Sequence, residues 1–101
     1  MAGTVKATIA ANGVSSVFLM TGNFDGAIFG VFNGGAAYLE KSQDGVNGWG
    51  PIDLAPRDER FPVIKVRDTY HFFVVNSGEN SYRLRLENAA GTADVKISTN
   101  Q

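Results

Sequence analysis

The sequence predicts an all-β domain, a single antiparallel β-sandwich of about eight short strands with jelly-roll or immunoglobulin-like Greek-key connections. Three observations predict it. No stretch of useful length carries an apolar 3.6-residue period, so helices have no amphipathic face to bury. Twelve glycines are scattered along the chain and interrupt the few candidate runs. Apolar and polar residues instead alternate with period two between turn signals at nearly regular spacing.

The elements follow in order. In residues 4–11, Val5, Ala7, Ile9 and Ala11 alternate with Thr4, Lys6, Thr8 and Ala10, which assigns the first set to one sheet face. Asn12-Gly13 then supplies a turn. Residues 17–21 are a short apolar run, and residues 23–26 offer a second turn. In residues 27–32, Ile28 and Phe32 oppose Phe29 and Val31, and apolar character on both faces implies a central strand or one covered by a partner. Asn33-Gly34-Gly35 can adopt the positive φ values of a tight hairpin, after which residues 36–41 form a strand.

Past residue 50 the chain returns through residues 51–54, and APRDER, residues 55–60, reads as an exposed charged connection. Residues 61–67 alternate again, with Ile64 and Val66 inward, Lys65 and Arg67 outward, and Pro62 marking a strand end or edge. Asp68-Thr69 turns the chain into a strand over residues 70–76. Near the end, Tyr82, Leu84 and Leu86 alternate with Arg83, Arg85 and Glu87. Val95 and Ile97 then alternate with Lys96 and Ser98, after a loop that contains Gly91.

With 101 residues, one domain spanning 1–101 is expected, and residues 1–4 are polar enough for a flexible arm. At 44% hydrophobic and 19% charged residues, the chain can build an ordinary core. It has no cysteine, so packing or association must hold the fold together. A net charge of −1 supplies no long-range field for nucleic acid or anionic lipid, and neither partner is expected. Neither a signal-peptide pattern nor a membrane-length apolar segment is present, which implies synthesis in the cytoplasm without a leader.

One segment stands out. KSQDGVNGWG places the single tryptophan directly after a turn rich in Gly, Asn and Asp. Ser42, Asp44 and Trp49 stand at the spacing of an Asp-box, the S-x-D-x-G-x-T-W hairpin of sialidases and other β proteins, which this stretch resembles. Val46 replaces the usual Gly and Gly48 the usual Thr, and one copy cannot build a propeller. The Asp44 carboxylate is expected to accept hydrogen bonds from turn N–H groups while Trp49 covers the hairpin base.

Other chemistry is sparse. His71, the only histidine, sits in the aromatic run Tyr70-His71-Phe72-Phe73 and reads as a strand residue. Asp25, Asp44, Asp53, Asp58 and Glu59 follow no calcium-ligand ladder. Arg57, Arg60, Arg67, Arg83 and Arg85 are interleaved with acids, which reads as a solvated mixed-charge surface. No phosphate loop or nucleophile elbow appears, so neither catalysis nor a cofactor is expected.

Three stretches together, TVKATIAANG, GAIFGVFNGGAAYLEKSQDG and SYRLRLENAAGTADVKIS, resemble small β-sandwich structural proteins of tailed bacteriophages. The family pattern falls on residues 34–49 and 82–97, with departures at Ala36-Ala37, Val46 and Glu87. The resemblance implies a non-enzymatic virion protein, most simply a capsid decoration or cement protein that binds the head as a homo-oligomer. Its partners would be the major capsid protein, other virion proteins and copies of itself. Contact residues implied by that reading are Met1, Thr4 and Lys6 in the N-terminal arm, Phe29 on the two-faced strand, and the charged loop Arg57, Asp58, Glu59 and Arg60. Two alternatives share the fold: a tail or head–tail connector component, and a carbohydrate-binding module stacking sugars on Trp49 and Tyr70.

Overall fold

A computed structural model describes residues 3–56 and 63–101, and they form two antiparallel sheets packed face to face. The strands are β1 (Thr4–Ile9), β2 (Gly13–Val14), β3 (Phe18–Thr21), β4 (Phe24–Val31), β5 (Ala36–Ser42), β6 (Gly50–Pro51), β7 (Ala55–Pro56), β8 (Lys65–Val66), β9 (Tyr70–Val74), β10 (Glu79–Glu87) and β11 (Asp94–Thr99). The first sheet runs β1-β11-β4-β9-β7. The second runs β2-β10-β5-β6, with β3 also pairing with β10 and β8 also pairing with β5. Apart from the β2–β3 and β5–β6 neighbours, successive strands alternate between the sheets. This is the strand order of a jelly roll; an immunoglobulin-like sandwich would place sequence neighbours side by side in one sheet.

The core lies where the inward residues of the two sheets meet. Ile28, Phe72, Val95 and Ile97 of the first sheet face Leu39, Tyr82 and Leu84 of the second, all at 0% exposure. Each such side chain contributes about 1.5–3 kcal/mol of apolar burial, which is how a chain without disulfides offsets its ordering entropy. The Phe24 ring meets Tyr82 edge-on at 5.4 Å between centroids and locks β4 onto β10 across the sandwich.

Several elements differ from the alternation read in the sequence. β1 ends at Ile9, and a bulge between Val5 and Ala7 changes its register on β11. Val5 therefore pairs with the outward Ser98 while Ala7 pairs with the inward Ile97, and Val5 is 50% exposed. Thr4 pairs with Thr99, so the first strand begins inside the segment expected to be an arm. The turn expected over residues 23–26 lies earlier, at Gly22 with φ 73°, because Phe24 is drawn into the core and starts β4. Asn33 and Gly34 do take positive φ, and Gly35 N–H donates to the Phe32 carbonyl, yet this turn carries the chain from one sheet to the other and forms no hairpin. Of the strand expected over residues 61–67, residues 61 and 62 lie outside the described residues; among the rest Lys65 and Val66 pair with β5, Val63 bridges to Leu54, and Ile64 is exposed. The apolar character of β4 on both faces corresponds to its place as the middle strand of the first sheet.

A buried amide hub, absent from the sequence reading, ties the turn after β3 to the turn before β10. Asn76 Nδ2 donates to the carbonyls of Met20 and Gly22, both at 3.0 Å. Its Oδ1 accepts from Asn80 Nδ2 at 2.6 Å and from the Tyr82 hydroxyl at 2.9 Å. Asn76 N–H in turn donates to Asn23 Oδ1. These bonds satisfy the polar ends of an otherwise apolar layer.

Candidate functional site

The loop from Gln43 to Trp49 closes β5 onto β6 around two side chains. Asp44 Oδ1 accepts from Val46 N–H at 2.8 Å and Asn47 N–H at 2.9 Å, a carboxylate replacing the turn's missing backbone acceptors. Those backbone bonds, Asn47 first, hold the Asp44 carboxyl below its ordinary range. Buried Ser42 sits beneath: its hydroxyl donates to the Asn47 carbonyl at 2.5 Å and accepts from Gly45 N–H at 3.0 Å. Gly45 is required here, since its φ is 76° and a Cβ would come within 2.9 Å of Ser81 Oγ.

The closed loop delivers Trp49 to the outer face of the second sheet, where it is half-buried under the Arg83 guanidinium, 4.2 Å from the ring centroid. Pairing of β5 with β10 sets Arg83 directly opposite Glu40 and Arg85 directly opposite Tyr38. Arg83 Nε donates to Glu40 Oε1 at 2.9 Å, and Arg85 Nε donates to Glu40 Oε2 at 3.1 Å. Arg85 also lies over the Tyr38 ring at 4.2 Å and donates from Nη1 to Glu87 Oε2 at 2.9 Å. The Tyr38 hydroxyl completes the ladder by donating to Glu87 Oε1 at 2.5 Å.

The ladder is anchored from below. The Glu40 side chain is only 7% exposed, while those of Arg83 and Arg85 are 22% and 32% exposed. One buried carboxylate thus holds two guanidinium groups by their Nε atoms, and each guanidinium rests on an aromatic ring. The Tyr38 hydrogen bond, with Arg85 assisting, holds the Glu87 carboxyl below its ordinary range and pushes the Tyr38 hydroxyl above its own. Beside Tyr38 lies an open depression lined also by Val63, Ile64, Lys65 and Arg67. Arg83, Arg85, Lys65 and Arg67 supply four positive charges on this face against Glu40, Glu87 and, at the same parity on β10, Glu79.

The outer face of the first sheet has another character. Val5, Val31, Phe73 and, just past β9, Val75 are exposed, with half-buried Phe29 and Ala27 between them on β4. Its Asp94 and Lys96 neutralise each other at 2.6 Å.

The residues singled out in the sequence are dispersed among these features. Ser42, Asp44 and Trp49 meet in the β5–β6 loop. Phe29 and Thr4 lie in the first sheet, and Lys6 is the extra residue of the β1 bulge. Met1, Arg57, Asp58, Glu59 and Arg60 lie outside the described residues. Trp49 belongs to the outer face of the second sheet, whereas Tyr70 pairs with the inward Ile28 and packs against the core, so the two rings form no shared platform. Arg83 and Arg85, read as part of a solvated surface, are instead fixed in ion pairs over a buried acid. The missed signal is the match between the outward set Tyr38, Glu40 on one strand and Arg83, Arg85, Glu87 on another. Among the described residues no group of three or more His, Asp or Glu is placed to hold a metal ion. No family model, curated protein or solved structure matches this chain.

Proposed function

We propose that the chain is a non-enzymatic structural protein of a tailed-phage particle, a jelly-roll protomer that associates with copies of itself and binds the head shell as a decoration or cement protein. The observation that carries the reading is the outer face of the first sheet, where Val5, Val31, Phe73 and Val75 are exposed and half-buried Phe29 and Ala27 lie among Asp25, His71 and Lys96. Large apolar side chains exposed together on one sheet face mark a surface that a like surface can cover. The sequence resemblance over residues 34–49 and 82–97 supplies the setting. Binding only to the assembled lattice would stabilise the shell by linkage, and many copies would add their contributions.

Light scattering of the purified protein, alone and with heads lacking it, tests the proposal. A small oligomer that Val31→Asp dissociates, and that saturates on heads, is the expected result. A monomer that ignores heads would overturn it.

A further inference from the structure

We infer that the outer face of the second sheet is a recognition surface for the carboxylates of an acidic, extended polypeptide segment of a partner protein. Arg83 spends only its Nε–H on Glu40, and Arg85 spends Nε–H and one Nη1–H on Glu40 and Glu87. Neither guanidinium has a further hydrogen bond to the described residues, and the two side chains are 22% and 32% exposed. Guanidinium forks of this kind match carboxylates in bidentate fashion.

Both forks are preorganised. Glu40 accepts from each Nε, and the guanidinium carbons lie over the Trp49 and Tyr38 rings, each 4.2 Å from the centroid. Little side-chain entropy is left to lose when an anion arrives. A ladder serving stability alone would not need more cationic than anionic groups, yet Lys65 and Arg67 extend the positive edge beyond Tyr38.

The spacing selects the ligand. Arg83 and Arg85 are two residues apart on β10, so their side chains repeat at about 6.6 Å along the strand. An extended peptide presents alternate side chains at the same repeat, so acidic residues at every second position meet successive guanidinium groups. The exposed Val14 and Leu19, opposite Arg85 and Ser81 on the far side of β10, offer apolar contact to intervening residues or flanks. The assignment stands whether or not the chain belongs to a virion.

Titration with a synthetic (Glu-Val)4 peptide tests it, read by Trp49 emission and by the Arg Nε–H resonances. A saturable change is expected at low salt, weakened about tenfold by 0.5 M NaCl, while (Lys-Val)4 produces none. R83K, which keeps the charge but loses the fork, should weaken binding by about fivefold or more with the urea midpoint as a check on folding. Lys65→Glu, at an exposed position, covers the case in which R83K fails to fold and should also weaken binding. Absence of saturation at low salt, equal binding of the lysine peptide, or unaltered affinity in a folded R83K or in Lys65→Glu would overturn the inference. A sulfated oligosaccharide saturating at lower concentration than the peptide would overturn the peptide assignment.

Discussion

Replacing Asn76 with alanine removes the acceptor and donor of a hub whose members are buried. The Tyr82 hydroxyl and the Asn80 amide lose their shared acceptor, and the carbonyls of Met20 and Gly22 lose a donor. A buried polar group left unmatched costs about 1–3 kcal/mol. Asn80 keeps the Ser77 carbonyl as a partner, so the loss concentrates on Tyr82, which is fully buried, and on the two carbonyls. Allowing one water to enter the space left by the amide, the net cost is about 3 kcal/mol, a large share of the 5–15 kcal/mol that holds a domain of this kind together.

Urea unfolding followed by Trp49 emission measures this directly, with the slope unchanged and the midpoint lowered. Tyr82→Phe alone should cost about 1 kcal/mol, because Asn76 Oδ1 still has Asn80. In the Tyr82→Phe background, Asn76→Ala should cost about 1 kcal/mol less than in the parent, the difference being the coupling of hydroxyl to amide. Asn76→Asp should be worse than alanine, since it turns a carboxylate oxygen toward the carbonyls of Met20 and Gly22. A loss below about 1 kcal/mol for Asn76→Ala, or strict additivity with Tyr82→Phe, would refute the hub as a stabilising unit.

Three further outcomes follow from the same geometry. Glu40→Gln should destabilise the fold by about 2 kcal/mol, below the usual 3–5 for breaking a buried pair because both guanidinium groups can turn toward water; an unchanged urea midpoint would contradict it. Asp44 and Glu87 titrate in the folded chain below their ordinary values of 3.8 and 4.5, so their stabilisation is complete above those values and is lost as pH falls through the lower folded ones. Asp44→Asn, which keeps the turn acceptor, should flatten the fall in stability as pH drops below 3.8, while Asp44→Ala lowers the melting temperature at pH 7, and identical acid profiles for parent and Asp44→Asn would count against the assignment. Gly30→Ala, at φ 123° with its Cβ 2.0 Å from the Asp94 carbonyl oxygen, should cost on the order of 3 kcal/mol, and a melting temperature within a degree of the parent would show that β4 and β11 can separate there freely.

The all-β class was legible because period two dominates the longer strands: Tyr82, Leu84 and Leu86 are buried between Arg83 and Arg85, as their alternation implies. Strand faces failed to follow where the register slips. Val5 has the same parity as Ala7 and Ile9 in sequence, and only the bulge, a property of the β1–β11 pairing, turns it outward. Turn composition was legible at Asn33-Gly34, but whether such a turn joins strands within a sheet or across two sheets depends on partners distant in the chain. Asn76 was illegible because its partners Met20, Gly22 and Tyr82 lie up to 56 residues away. The Ser42–Asp44 loop was the most readable part of the site, since every bond in it is local. The ladder needed the β5–β10 register, which sets Glu40 opposite Arg83 across 43 residues of chain.

Phe24, Phe72 and Tyr82 fill the space between the sheets, so the described core is a packed layer and the chemistry that can meet a partner is displayed outside it. The two outer faces are unlike: one carries exposed valines and Phe73, the other a charged ladder whose rigidity rests on buried Glu40. Surfaces so different in chemistry can serve different partners at once, the apolar one a like surface and the cationic one an acidic segment, with no competition between them. On that division Val31→Asp should alter association while leaving peptide affinity intact, and R83K should do the reverse. A single variant that changed both in a folded protein would mean that the faces are coupled through the core, and the two proposals would then have to be replaced by one interface.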